Sequence, residues 1–248
     1  MTVAVIPARF GSSRLEGKPL ALIAGKPMIQ RVYEQACQSS IVTQTIVATD
    51  DERIVNAVNS FGGEAVMTSD ECRSGTDRVA ETADILGLGP DELIINIQGD
   101  QPVFNPLVIE ELVSPFSSNP DLVMSTLAYK IVDEREITDP KDVKVTFDND
   151  GFAMYFSRAQ IPCPRDPDPS ADFYKHLGFY AYTKGFLDTL VSLPSGRCEQ
   201  IEKLEQLRVL EFGYKIKVIV TVHDSPEIDL PGDIRRIEAG LLKEDLNP

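Results

Sequence analysis

The sequence has no Cys-x-x-Cys pair, no apolar run of membrane-spanning length, no Gly-x-Gly-x-x-Gly and only two histidines. Its four cysteines, Cys37, Cys72, Cys163 and Cys198, lie far apart with no histidine at zinc spacing, so neither a redox pair nor a structural zinc site is suggested. Dispersed thiols of this kind fit a reducing cytosol. Met1 to Arg9 has no basic stretch ahead of a short apolar run, which makes it neither a signal peptide nor a membrane span. A cytoplasmic protein is expected. The missing glycine fingerprint disfavours a dinucleotide fold.

Positive charge is scarce as well. With 24 Lys+Arg against 39 Asp+Glu the net charge is −15, and the pI is near 4.6. Such a field repels polyanions and argues against nucleic acid or an anionic membrane as partner. The shortage is uneven, however. Before Asp50 the only acids are Glu16 and Glu34, against Arg9, Arg14, Lys18, Lys26 and Arg31. The 42% hydrophobic and 25% charged content belongs to an ordinary globular chain and excludes disorder. At 248 residues it holds a core without disulfide or metal staples.

What is present alternates. Val3–Ile6 is a short apolar strand ended by Pro7. Gly25 and Pro27 introduce a helix, with Pro at its first position, carrying Met28, Ile29, Val32, Tyr33 and Ala36. Thr45–Ala48 is a second strand, and Thr49 or Asp50 caps a helix that ends at Gly62-Gly63. Then come a strand at Glu64–Met67, a helix at Thr76–Leu86 and a strand at Leu93–Ile97. Continuous apolar strands alternating with helices predict an α/β fold, a mostly parallel sheet covered on both faces, with ligands beyond the carboxyl ends of the strands. After a helix to about Phe116, the stretch 122–182 is β-rich, with a hairpin of Val143–Phe147 and Phe152–Phe156. Helices at about Gly185–Leu193 and Glu199–Phe212, a strand at Lys215–Val222 and a helix from Pro231 complete a single domain over 1–248.

Three constellations carry chemistry. The loop from Pro7 to Pro19 holds Arg9, Arg14 and Lys18 with Ser12, Ser13, Gly11 and Gly17, a phosphate cradle by composition. It is not a P-loop, since Pro19 stands where Ser or Thr must follow Lys. Its other reading is a solvated loop whose arginines pair with acids elsewhere. Asp100, in Gln98-Gly99-Asp100, is either a turn or cap residue or a carboxylate for a Mg²⁺–nucleotide site. Asp229 is likewise a second metal ligand or the cap of the last helix. In Ser74-Gly75-Thr76-Asp77-Arg78, Thr76 caps a helix, and the same three leading residues offer donors to a base or ribose. Taken alone, Arg158 is a surface charge and His176 a satisfied structural residue.

The segments Ile6-Pro7-Ala8-Arg9, Gly17-Lys18-Pro19-Leu20, Gly25-Lys26-Pro27-Met28-Ile29, Val47-Ala48-Thr49-Asp50 and Ser74-Gly75-Thr76-Asp77-Arg78 occur in that order. Asn96-Ile97-Gln98-Gly99-Asp100, Phe156-Ser157-Arg158, His176-Leu177-Gly178 and Leu204-Glu205-Gln206-Leu207-Arg208 follow. Together they resemble the 3-deoxy-manno-octulosonate (Kdo) cytidylyltransferases, or CMP-Kdo synthetases, over nearly the whole chain. The resemblance implies a three-layer nucleotide-diphospho-sugar transferase fold with a β-rich insertion, and a homodimer; the strands from Leu122 to Phe156 and near Tyr180 are where its subunit interface is expected. It also implies the Mg²⁺-dependent reaction of CTP with Kdo that yields CMP-Kdo and pyrophosphate for lipopolysaccharide. By the match, Pro7, Ala8, Arg9, Ser13, Arg14, Lys18, Ser74, Gly75, Thr76 and Gln98 hold the nucleotide. Arg158, His176, Tyr180, Glu205 and Gln206 line the sugar-acid site. Asp100 and Asp229 bind Mg²⁺, and Arg14, Lys18 and Asp100 are the catalytic set.

Two departures stand out. The usual Leu-Pro-Gly-Lys-Pro is Leu15-Glu16-Gly17-Lys18-Pro19, and the usual Asp-Thr-Pro-Glu-Asp is Asp229-Leu230-Pro231-Gly232-Asp233. Glu16 points to solvent, pairs with Arg14, or favours a cationic acceptor such as 8-amino-3,8-dideoxy-manno-octulosonate. The competing readings are a cytidylyltransferase for another sugar acid such as a sialic acid, a uridylyltransferase acting on a sugar phosphate, and a non-catalytic nucleotide-binding module.

Overall fold

In the computed structural model, which describes residues 1–11, 15–166 and 170–244, the first apolar run forms β1 (Thr2–Pro7) inside a nine-stranded sheet. Val3 to Ile6 are completely buried, and successive side chains leave on opposite faces. Val3 and Val5 therefore join one apolar core, and Ala4 and Ile6 join another. Burial on both sides is what makes the strand read as unbroken hydrophobicity, and it requires helices on both faces.

The chain continues through a small hairpin, β2 (Leu22–Ile23) and β3 (Lys26–Pro27), then α1 (Met28–Ala36), β4 (Gln44–Thr49), α2 (Glu52–Ser60), β5 (Ala65–Met67), α3 (Gly75–Ile85), β6 (Leu93–Asn96) and α4 (Leu107–Ser118). The second part holds β7 (Met124–Lys130), α5 (Glu134–Thr138), β8 (Lys144–Phe147), β9 (Ala153–Ser157), β10 (Tyr174–Thr183), α6 (Lys184–Ser192), α7 (Arg197–Glu202), α8 (Gln206–Glu211), β11 (Lys217–Thr221) and α9 (Pro231–Glu244). Helices α1, α2 and α4 pack on one face through Ile29, Val32, Ile54, Val58 and Ile109. Helices α3 and α6 cover the other through Val79, Ala83, Leu187 and Leu190.

The main strand order is β11-β7-β10-β6-β1-β4-β5. Strands β6, β1, β4 and β5 run parallel, as do β11 and β7, whereas β10 is antiparallel to both of its neighbours. The expected mixed, mostly parallel three-layer sheet is thus the observed one. Within the β-rich stretch, β7 and β10 belong to the main sheet, and the β8–β9 hairpin stands off its path. Among the described residues no helix is long and apolar enough to cross a membrane.

Several local expectations are corrected. Asp51, not Thr49 or Asp50, caps α2, because the Asp50 carboxylate is taken by Arg78 at 2.7 Å. Ser74, in extended conformation, caps α3 by accepting from Asp77 N, so Thr76 lies inside the helix with its hydroxyl free for another partner. Pro27 occupies the cap position of α1 rather than its first turn. The continuous helix expected from Glu199 to Phe212 is two helices, α7 and α8, broken where Lys203 turns left-handed at φ 55°.

Candidate active site

Strand β1 delivers the loop that begins at Pro7, and Ala8 N donates to Ala48 O at 2.8 Å, keeping its first residues against β4. The loop closes on itself where Gly17 N donates to Phe10 O at 3.0 Å. Gly17 sits at φ +66°, and a Cβ there would stand 3.0 Å from the Phe10 ring, so both backbone sign and space call for glycine. Arg53 lies 3.3 Å over the centre of the same ring while its fork grips Asp51. Glu16 is exposed and exerts its charge on Arg53. Ser13 and Arg14 lie outside the described residues. Arg9 is exposed on the loop.

A single helical turn, Lys18–Leu20, with buried Pro19, then carries Lys18 inward. Its Nζ donates to Asp100 Oδ2 at 2.8 Å and to Asp229 Oδ1 at 3.1 Å. Asp100 follows the carboxyl end of β6, and Asp229 is brought to it by a backbone bond from Ile228 N to Asp100 O at 3.0 Å. At the start of α9 the backbone amides of Asp229 and Leu230 donate to Asp233 Oδ2. Glu227 stands close by, and desolvation followed by the charges of Asp100 and Asp229 pushes its carboxyl up to about 8. The excess of negative charge at this point is one that a hard cation relieves.

Two carboxylates converging on one ammonium offer oxygens to a small cation at a single place. Among the described residues no group of three or more His, Cys, Asp or Glu ligands is preformed. That donor set fits Mg²⁺, which takes one or two carboxylates and keeps water or phosphate oxygens for the remainder, and does not fit an all-protein cage.

Asp100 and Asp229 open onto a cavity of about 1370 Å³ that is also lined by Gln98, Arg158, His176 and Tyr180. Arg158, just beyond β9, donates from Nε to Glu202 O at 2.8 Å and from Nη1 to Pro140 O at 2.9 Å. Its charge meets no carboxylate in an ion pair among the described residues, so a planar cation is held on the cavity wall by neutral carbonyls. Ser157 Oγ and Arg158 N both donate to Glu202, which fixes the start of this segment.

Strand β10 supplies a further part of the wall. Its register on β7 shifts between His176 and Tyr180, and Gly178, at φ +74°, makes the bend. His176 packs against Phe156 and Tyr180, with ring centroids 5.1 and 5.2 Å away. Burial lowers its pKa to about 3, so the imidazole is neutral. Gln98 Nε2 reaches Gly178 O at 3.3 Å, which joins the end of β6 to this bend.

A smaller pocket of about 200 Å³ adjoins, sharing Gln98, Tyr180 and Gln206 with the cavity and adding Gly75, Thr76 and Glu205. Thr76 Oγ1 donates to Glu205 Oε2 at 2.7 Å, and burial raises the Glu205 pKa. A Cβ on Gly75 would lie 3.4 Å from Pro7 Cγ, so the start of α3 rests against the end of β1.

Of the residues singled out in the sequence, Lys18, Asp100 and Asp229 meet directly. Arg158, His176, Tyr180 and Gln206 share one cavity with the two aspartates, and Pro7 meets Gly75 behind it. Sequence reasoning missed Glu227 and Thr126. Glu227, in Ser225-Pro226-Glu227, carries no motif, and Thr126 reads only as a strand residue.

Residues 3–216 match the family model described as cytidylyltransferase. A 3-deoxy-manno-octulosonate cytidylyltransferase from Desulfatibacillum aliphaticivorans is 63% identical over 98% of both chains. An 8-amino-3,8-dideoxy-manno-octulosonate cytidylyltransferase from Shewanella frigidimarina is 54% identical over 96% of this chain and 97% of its own. The solved structure of a CMP:2-keto-3-deoxy-manno-octonic acid synthetase complexed with CTP superposes with a TM-score of 0.91 at 42% identity, covering 98% of this chain and 99% of that one.

Proposed function

The chain belongs to the cytidylyltransferase family, and from that premise we propose that it transfers CMP from CTP to the anomeric hydroxyl of 3-deoxy-manno-octulosonate, releasing pyrophosphate. One observation carries the reading of the site. Two carboxylates that converge on Lys18, and an arginine that meets no carboxylate in an ion pair among the described residues, line the same cavity. The first arrangement suits a metal-bound triphosphate, and the second suits the carboxylate of a sugar acid.

In this reading Asp100 and Asp229 hold Mg²⁺. When bound there, the ion lowers the pKa of the acceptor hydroxyl and neutralises charge on the phosphates. Lys18, whose two carboxylates are then engaged elsewhere, has its ammonium free for the triphosphate, alongside Arg9 and Arg14 from the same loop. Pro7, Ala8, Ser13, Ser74, Gly75, Thr76 and Gln98 complete the nucleotide side. Arg158 forks the sugar-acid carboxylate, and Tyr180, Glu205 and Gln206 surround its hydroxyls. The attacking oxygen must lie in line with the leaving pyrophosphate, and fixed placement of both substrates supplies much of the rate.

A test crosses CTP and UTP with Kdo, its 8-amino analogue and a sialic acid, following pyrophosphate release. Turnover is expected with CTP and Kdo. Turnover only with UTP, turnover of CTP only with the sialic acid, or turnover with none of these pairs, defeats the reading. Comparing the two octulosonates also tests Glu16. A Glu16→Pro change is expected to leave their ratio unchanged, because Glu16 is exposed and is not among the residues that line the cavity.

The enzyme is further read as a cytoplasmic homodimer. All four cysteines are unpaired, which supports a reducing compartment. Strand β11 ends the main sheet; residues 151–153 cover its edge at residues 216–218, and beyond them Val220 and Val222 are 46% and 81% exposed. Apolar side chains at an uncovered strand end favour pairing with a second copy. Val222→Glu is expected to shift the sedimentation profile from dimer toward monomer, and an unchanged profile counts against this edge as the interface.

A further inference from the structure

Thr126, in the middle of β7, is completely buried and makes two short contacts through one hydroxyl. Its Oγ1 lies 2.7 Å from Phe179 O and 2.8 Å from His176 Nε2. The β10 bend brings both partners to the same residue. Tyr180 pairs with Thr126 and His176 pairs with Ala128, so β10 carries two more residues than β7 across this interval.

A hydroxyl owns one proton, and a carbonyl oxygen can only accept. If Thr126 gave its proton to the imidazole, two oxygens would face each other at 2.7 Å with nothing between them. Placing the Thr126 proton toward Phe179 O leaves the second contact to be bridged by a proton on Nε2. Only that assignment puts a hydrogen in both contacts. A neutral imidazole protonated at Nε2 has a bare lone pair at Nδ1. Nδ1 has no hydrogen-bond partner among the described residues, and His176 lines the large cavity.

We infer that Thr126 is a positioning residue that fixes His176 in its Nε2–H form, so that Nδ1 accepts a hydrogen bond from a hydroxyl of the sugar acid and disfavours a carboxylate there. The inference rests on the sugar-acid reading of the cavity, and it assigns two groups of the acceptor to different side chains. The carboxylate belongs to Arg158, and a hydroxyl belongs to His176. Neutral throughout the working range, the ring acts as an acceptor and not as a general base or a cation.

The chain has only two histidines, so nitrogen-15 NMR of the histidine-labelled protein, with His223→Gln for assignment, reads the tautomer without substrate. The expected spectrum has a protonated Nε2 and a bare Nδ1 from pH 6 to 9, an ordinary working range around histidine's unperturbed pKa of about 6.5. Thr126→Val is expected to mix the tautomers and to raise KM for the sugar acid roughly tenfold, the cost of one neutral hydrogen bond, with KM for CTP unchanged. Thr126→Ser, which keeps the hydroxyl, restores both. A wild-type Nδ1–H tautomer overturns the inference, and so does a Thr126→Val enzyme with unaltered tautomer or unaltered sugar-acid KM. Should Thr126→Val fail to fold, the wild-type spectrum still decides the tautomer. A lack of turnover with any octulosonate, alongside the expected spectrum, would instead strike the functional reading.

Discussion

Asp100→Asn is expected to lose roughly a thousandfold in turnover, the scale seen when a group that stabilises transition-state charge is removed. The amide keeps the shape of the carboxylate and leaves the backbone bond from Ile228 N to Asp100 O in place, so the loop carrying Asp229 stays where it is. Lys18 retains Asp229 as a partner at 3.1 Å. On the proposed reading, what disappears is one of the two carboxylates that would hold Mg²⁺, and with it the charge that would let a small cation gather phosphate oxygens at this point. The enzyme should therefore show a weakened response to added Mg²⁺ while its circular dichroism is unchanged. Near wild-type turnover at ordinary Mg²⁺ would remove Asp100 from the centre.

Arg158→Lys is expected to raise KM for the sugar acid by about a hundredfold, while KM for CTP stays within about twofold, within the 2–5 kcal/mol range for truncating a bonded charge pair. The substitution keeps a positive charge, and the loss comes from geometry. Arg158 is fixed by two carbonyls, Glu202 O and Pro140 O, through Nε and Nη1, and the rest of its planar fork remains for a ligand. A lysine ammonium cannot hold both carbonyls and still present two parallel donors to a carboxylate. Initial-rate kinetics with each substrate varied separately distinguish this from general damage, which would raise both constants.

Much of the sheet was legible because its strands are buried on both faces. Val3–Ile6, Thr45–Ala48 and Leu93–Ile97 announce themselves as apolar runs between turn residues, and the structure makes strands of them. The caps were less legible, since neighbouring residues of equal capping power compete and tertiary contacts decide. Asp50 is claimed by Arg78, which leaves Asp51 to cap α2. Thr76 is claimed by Glu205, which leaves Ser74 to cap α3. The break at Lys203 has no signal in the sequence, because the apolar periodicity runs straight through it. The left-handed turn there stands immediately before Leu204 and Glu205.

The site divides in the same way. The cationic loop was visible in the composition, and Asp100 and Asp229 were visible as ambiguous carboxylates. Their meeting on Lys18 spans most of the chain and follows only from the sheet order together with the Ile228–Asp100 backbone bond. His176 could be located by family resemblance, yet its protonation state depends on Thr126 from another strand and on a bend at Gly178. No local pattern encodes that.

The most direct test of the account follows the phosphorus of CTP by NMR as the enzyme acts on Kdo with Mg²⁺. The expected result is one pyrophosphate for each new phosphodiester joining CMP to the sugar acid, with no reaction when Kdo is omitted. CTP that stays intact in the complete mixture, or that yields CDP and phosphate instead, would contradict it.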